Sequence, residues 1–440
     1  MANILIVYYY KSEYPIRATS ADHLYCFKTY SEHNCFYLNV AVRRVPSYLR
    51  RVKFDLVVYT TLFLSGRWDR NGFRETMRRI EPLKSVDAVK VALPQDEFLN
   101  TDLLCDFINE FRIDHVFSVA PQSEWKTIYP NVDRERVRFS TVLTGYLDEH
   151  TVKKINELAG RTGERTIDVG YRAWRGAPWL GRHGILKAEI ADVFEAQGPS
   201  KGLVTDVSTR PEDTFLGDAW YEFMLRCKYI IGVEGGASII DRDGSLRKKT
   251  DEYTKEHPSA TFDEIEANCF PGLDGSLKLF AISPRHLEAC ATRTCQVLVE
   301  GHYNGILEPG RHYIELKRDF SNLEEVLESI RRDDLRAEIT KRAYREIVET
   351  GKYTYESFVR ELTGESLQLA STPVNSQDSK RARPLFWWMR MADRISWAAV
   401  MLNWYVVVSF KRRARSLLLK IFPEQTYSVV VHRLKGKPEI

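Results

Sequence analysis

Short apolar runs built from Val, Ile, Phe and Tyr recur along this chain, and each gives way to a stretch with helical periodicity. The runs Ile4–Tyr10, Cys35–Val40, Asp55–Thr60, Ala88–Leu93 and His115–Val119 are bounded by Pro, Asp, Asn or charged residues, as buried strands are. Helical candidates such as Asp69–Arg79 and Thr101–Phe111 lie between them. Parallel strands need such crossovers, so the rhythm predicts a parallel sheet with helices on both faces. It restarts after a polar stretch near Ala159–Arg165. Thr166–Tyr171, Lys201–Val207, Lys228–Val233 and Gln296–Val299 read as strands, and Leu186–Ala196, Ala219–Arg226, Arg285–Thr292 and Leu323–Ile339 as helices. Two α/β units therefore divide the chain, at 1–160 and 161–345. Residues 366–383, rich in Ser, Thr, Gln and charge, read as a linker.

The 440 residues carry 64 Lys and Arg against 60 Asp and Glu, a net of +4 that is too weak to suggest nucleic acid as a partner. That charge is unevenly spread. Residues 381–440 hold twelve basic and three acidic residues, a net of +9, which leaves −5 for the rest. This basic tail also holds Trp387, Trp388, Trp397 and Trp404 and a mainly apolar run at Ile395–Phe410. Aromatic and basic residues together suit the headgroup region of an anionic membrane. Sixteen helical residues span roughly 24 Å, short of a hydrocarbon core of about 30 Å. The tail, 384–440, is therefore expected to be helical and to lie on a membrane surface rather than cross it. Seven scattered cysteines without a CxxC pair read as reduced thiols of a cytoplasmic protein, and Met1-Ala2-Asn3 lacks the start of a signal peptide.

Ligands of parallel sheets bind beyond the carboxyl ends of the strands. Four segments of the second unit stand there. In the first, Gly181, Arg182 and Lys187 belong to a glycine turn opening a helix, a place that attracts phosphate. The second is Glu234-Gly235-Gly236-Ala237-Ser238, where a carboxylate could accept from sugar hydroxyls and open N–H groups could meet a ligand. In the third, Arg285, His286 and Glu288 open a helix behind Pro284; arginine suits phosphate and glutamate a diol. The fourth, Tyr303-Asn304-Gly305, could lie over a base or sugar. Each is also compatible with an ordinary turn, or for Arg285 and Glu288 with a surface ion pair. In the first unit Asp22 or His23 could serve as general base, with His33 a weaker candidate, while Gln95-Asp96-Glu97 and Pro121–Glu124 also follow strands. Asp241-Arg242-Asp243 has the Asp-x-Asp form of a metal site but is equally a good turn. No Walker loop, HExxH or EF-hand pattern is present, nor a GxGxxG after the first strand.

Residues 283–316 (SPRHLEACATRTCQVLVEGHYNGILEPGRHYIEL), continued by 317–327 (KRDFSNLEEVL), resemble the donor-binding region of bacterial GT-B glycosyltransferases, the group with an R-x-x-E-A-x-A helix followed by a strand, a glycine loop and a closing strand. The resemblance implies two Rossmann-like domains facing across a cleft, with a final helix at 346–365 crossing back to the first. It implies a nucleotide-sugar donor held mainly by the second domain, an acceptor at the first, and transfer without a metal or other cofactor; the basic aromatic tail points to a lipid-linked or glycan acceptor. Glu288 would match the glutamate that binds the ribose, and Arg182 or Lys187 the basic residues near the diphosphate. One common version of the pattern, Glu-x7-Glu, is broken, because Phe280 stands eight residues before Glu288. With the basic tail, the expectation is a glycosyltransferase of polysaccharide biosynthesis, peripheral on the inner face of a membrane. A nucleotide-sugar-modifying enzyme such as an epimerase, or a non-catalytic nucleotide-sugar-binding scaffold, are the alternatives.

Overall fold

A computed structural model describes residues 1–11, 16, 18–42, 44–371, 374, 376–403, 405–406, 409–410 and 413. Its first domain is one parallel sheet of β1 (Asn3–Tyr8), β2 (Asn34–Asn39), β3 (Leu56–Tyr59), β4 (Val89–Ala92), β5 (His115–Ser118) and β6 (Arg138–Thr141), ordered β2-β1-β3-β4-β5-β6. Side chains alternate between the faces: Leu5 and Val7 enter one core cluster, Ile4, Ile6 and Tyr8 the other. Burial on both faces explains why the runs look continuously apolar.

The second domain repeats the plan. β7 (Ile167–Arg172), β8 (Thr205–Ser208), β9 (Cys227–Gly232), β12 (Cys295–Val299) and β13 (Ile314–Leu316) form a parallel sheet ordered β13-β12-β9-β7-β8. Two strands between them, β10 (Gly235–Ala237) and β11 (Leu279–Ala281), pair antiparallel as the two ends of a long excursion. Its helices Ser245–Glu256 and Phe262–Cys269 have no counterpart in the strand–helix rhythm. The result is two Rossmann-like domains facing each other across a cleft, the expected arrangement.

Several boundaries differ from the sequence reading. The Glu149–Ala159 helix packs with the second domain, Ile155 entering the same core as Tyr221 and Met224, so the division falls near residues 142–148 rather than 160. The helix expected at Leu186–Ala196 begins at Arg182, and the one expected at Leu323–Ile339 breaks into Leu323–Ser329 and Asp333–Ala343. Part of the expected linker is helical: Ser376–Asn403 is one helix, with Pro384 inside it. Ala382, Phe386 and Met389, at helical spacing, are buried against the first domain, with the Phe386 ring 3.3 Å from that of Phe36 on the edge strand β2. Docking of that stripe supplies what the polar composition lacks. The tail from 414 to 440 lies outside the described residues.

Both flanks of the cleft are tied by backbone hydrogen bonds. On one side the chain crosses between domains twice: Leu147 donates to the Tyr353 carbonyl (2.9 Å) and accepts from Tyr355 (3.0 Å). The Tyr355–Leu367 helix then packs onto the first domain through Tyr355, Phe358, Val359 and Leu362, as a returning helix should. On the other side the excursion reaches over the first domain. Asn100 donates to the Asp241 carbonyl and Asp241 to that of Phe98, both at 2.7 Å, while Ala237, Leu277 and Leu279 join the first domain's core. Replacing the buried Phe358 by alanine should lower stability by about 3–5 kcal/mol, the usual cost of emptying a phenylalanine site. Denaturant unfolding measures it, and a loss under about 1 kcal/mol would show that the returning helix is not part of this core.

Candidate active site

The carboxyl ends of β1, β3, β4 and β5 face those of β7 and β9 across a cavity of about 300 Å³. Its first wall carries Thr19, His23, Thr60, Gln95, Asp96 and Val119; the opposite wall carries Lys187, Gly235, Gly236 and Pro284. A second cavity of about 250 Å³ shares Thr19, Ser283 and Pro284 with it and runs on past Arg172, Phe215, Trp220, Arg285 and Glu288. Together they form one interdomain cleft with two compartments. A larger groove of about 760 Å³ lies elsewhere, between Trp68 and the Ser245–Glu256 helix. It is away from the strand ends, and its Arg70 and Arg247 are already paired with Asp102 and Asp251, so it is the weaker candidate.

Two cations meet where the compartments join. Lys187 projects from the second turn of the Arg182–Gln197 helix and makes no ion pair among the described residues. Burial, reinforced by Arg285 and opposed by Asp96, pulls its ammonium down to about 8. The Arg285 guanidinium is held by a carbonyl, that of Arg172 (2.9 Å), and not by a carboxylate. Arg172 is itself fixed by Asp206 (2.6 Å) and stacked on Phe223 and Phe215. Positive charge is therefore held in place without an ion-pair partner among the described residues, which suits an anion. One turn beyond Arg285 stands Glu288, only 7% exposed, accepting from the Trp220 indole N–H at 2.9 Å. Burial pushes its carboxyl up, while the hydrogen bonds from Trp220 and Tyr221 and the charge of Arg285 oppose that rise.

The cleft thus gathers His23, Lys187, Gly235, Gly236, Arg285 and Glu288 from the sequence candidates. Gly236 is required by packing: at φ 122° an added Cβ would lie 1.8 Å from the Leu279 carbonyl oxygen. His23 is nine-tenths buried against Tyr355 and Phe358, and burial pulls its imidazole down to about 4, so the ring is neutral.

Other candidates are engaged elsewhere. The glycine turn at Gly181 is filled from within the protein: Arg182 N–H donates to Asp274 (3.1 Å), His183 N–H to Ser238 Oγ (3.3 Å), and Ser238 to Asp274 (2.6 Å). The helix start that was expected to take phosphate already holds a carboxylate. The Arg182 guanidinium turns outward to Asp263 and Glu266. Glu234, expected to meet the sugar in the cleft, is 2% exposed and accepts from the backbone of Tyr303 (2.7 Å) and His302 (3.3 Å). The Tyr303–Gly305 turn is structural too: the Tyr303 hydroxyl donates to the Val299 carbonyl, Asn304 accepts from Ile282 N–H, and Gly305 sits at φ 67°. His286 is 1% exposed, its Nδ1 accepting from Ser283 N–H. Asp22 opens into a separate cavity with Tyr30, Asp148 and Lys154. Burial, with Asp148 and Glu288 nearby, raises its carboxyl to about 6. Asp241 accepts from Gly244, Leu246 and Arg247 N–H and so caps a helix. Phe280, in the place of the missing glutamate, stacks on His183 at 3.9 Å.

Arg172 and Trp220, which line the second compartment, were not singled out from the sequence. Arg172 ends β7, where the strand-end rule would have found it; Trp220 lies inside a helix and gave no signal.

Two outcomes follow from these charges. Lys187 is protonated below about 8 in the empty protein. Nucleoside-diphosphate affinity should therefore fall as pH rises through 8, and Lys187→Arg should flatten that dependence in a calorimetric titration. With its folded value below the unfolded one, Lys187 should also let stability rise between about 8 and the ordinary lysine range near 10.4. Glu234→Ala strands two loop N–H groups, so thermal unfolding should report a loss of about 1–3 kcal/mol; an unchanged midpoint would contradict the bracing role.

No family model and no curated protein matches the chain. Solved structures with a similar course include Anabaena HepE in complex with UDP, at 11% identity over 84% of this chain and 100% of that one, with a TM-score of 0.45. A glycosyltransferase from Rickettsia africae matches at 9% identity over 84% of this chain and 99% of the other, TM-score 0.47. A DNA-modifying beta-glucosyltransferase, studied with and without uridine diphosphoglucose, matches at 12% identity over 83% of this chain and 100% of the other, TM-score 0.45.

Proposed function

We propose that this chain is a glycosyltransferase that moves a sugar from a nucleotide-sugar donor to a lipid-linked or surface-polysaccharide acceptor. The observation that carries the reading is the pair Lys187 and Arg285, cations without a carboxylate partner among the described residues, at the waist of a cleft lined by the strand ends of two domains. A pyrophosphate fits that waist. The nucleoside lies along Trp220 and Phe215, with Glu288 receiving the ribose hydroxyls, and the sugar extends past Gly235 and Gly236 toward the first domain. As the sugar leaves, negative charge grows on the diphosphate, and two fixed cations stabilise it without reorganisation. That charge compensation supports transfer that needs no metal.

The acceptor side follows from the last helix. Beyond the stripe that docks on β2, Trp387, Trp388, Ile395, Leu402, Tyr405, Val406 and Phe410 are each more than half exposed. With the net positive charge of 381–440 they suit an anionic membrane surface on which the protein works peripherally from the cytoplasmic side. No described helix is long and apolar enough to cross a membrane.

A panel of radiolabelled nucleotide-sugars with membrane extract tests the activity, and transfer or hydrolysis of none would contradict it. In calorimetry Glu288→Ala should weaken donor binding by about 1–3 kcal/mol, the scale of a hydrogen bond to a charged group. The full chain should sediment with phosphatidylglycerol vesicles and be released by salt. The double variant Trp387→Ala/Trp388→Ala should bind them more weakly; equal binding to neutral vesicles would exclude the electrostatic part.

A further inference from the structure

We propose that Asp96 is the carboxylate that takes the proton of the acceptor hydroxyl during transfer, an assignment that rests on the donor-site reading above. It is the only carboxylate among the described residues lining the cavity at the strand ends. It stands on the first domain, in the loop after β4, and its charge acts across the cavity on the Lys187 ammonium. Base and anion grip thus face each other over about 300 Å³, the lower end of the roughly 300–1,000 Å³ that small-ligand sites occupy.

The loop holds Asp96 in a conformation that costs free energy. Its backbone is left-handed, φ 52°, a region that L-residues other than glycine visit rarely and that must be enforced by surroundings. Arg67 enforces it. That side chain is completely buried, and its guanidinium is spent on the carbonyl oxygens of Leu64 (2.9 Å), Leu99 (3.2 Å), Gln95 and Asp96 (2.5 Å). Trp68 fixes the side chain, its indole N–H donating to Oδ2 at 3.2 Å. No described residue donates to Oδ1, which is left to accept a proton. The other titratable group on this wall, His23, is packed between Tyr355 and Phe358, and no described residue hydrogen-bonds to its ring.

In the step, the acceptor O–H bond breaks and its proton passes to the Asp96 carboxylate. The freed electron pair forms the new bond from the acceptor oxygen to the sugar C1. The bond from C1 to the phosphate oxygen breaks, and its electron pair stays on the nucleoside diphosphate beside Lys187 and Arg285. Attack from the Asp96 side, opposite the leaving group, inverts the anomeric configuration.

Steady-state transfer, nucleoside-diphosphate calorimetry and product NMR on the full chain, comparing wild type, Asp96→Asn and Asp96→Glu, test this. Asp96→Asn should lower kcat by about 10²–10⁴, the usual contribution of a general base. Measured well below pH 8, where Lys187 is protonated, its KM for the donor and its diphosphate affinity should stay within about twofold, and the melting temperature should be unchanged. Asp96→Glu should recover part of the rate, and the product should carry inverted configuration. Retained configuration, an Asn variant that keeps more than about a tenth of the rate, or a loss of diphosphate affinity parallel to the loss of rate would overturn the assignment. If the wild type transfers sugar and Asp96→Asn does so equally, only the role of Asp96 falls. If the wild type neither binds nor turns over any nucleotide-sugar, the donor-site reading falls and this assignment with it.

Discussion

Positive charge held in a crevice without a counter-ion is costly, and a fold keeps it only where something else is gained. Lys187 and Arg285 are in that position: burial depresses the lysine, and the arginine leans on a carbonyl. Other arginines of the two domains have carboxylate partners. Arg172 has Asp206, Arg182 has Asp263 and Glu266, Arg70 has Asp102. The unpaired two converge where parallel strands of both domains end, the place that this topology leaves open to ligands.

The surrounding structure keeps that place rigid. Backbone hydrogen bonds tie the domains at both flanks, through Leu147 with Tyr353 and Tyr355 on one side and through Asp241 with Phe98 and Asn100 on the other. The second tie is carried by the excursion between β10 and β11, which buries Ala237, Leu277 and Leu279 in the first domain's core. Two domains held in this way present a pre-formed cleft, so little ordering is left to oppose binding.

Much of the fold was legible because buried parallel strands write themselves as apolar runs. Ile4–Tyr10, Asp55–Thr60 and His115–Val119 overlap β1, β3 and β5 closely. Strand β6 was missed because it is a short edge strand, Arg138–Thr141, with Phe139 its one apolar residue, and the excursion because its helices pack outside the rhythm of the sheet. The site was legible in part. Arg285, Glu288 and Lys187 carry charge at strand ends or helix starts, and all three line the cleft. The Gly181 turn misled for a physical reason: sequence shows a helix N-terminus that wants an anion but not that Asp274, more than ninety residues later, supplies it. Glu234 misled in the same way, since its partners are N–H groups of a loop that distance in sequence conceals.

The most direct measurement is an experimental structure of the chain with a nucleoside diphosphate bound. The diphosphate oxygens should lie within hydrogen-bond distance of Lys187 Nζ and the Arg285 guanidinium, and the ribose at Glu288. A nucleotide seated on the Gly181 turn with Asp274 displaced, or in the groove beside Trp68, would contradict that placement.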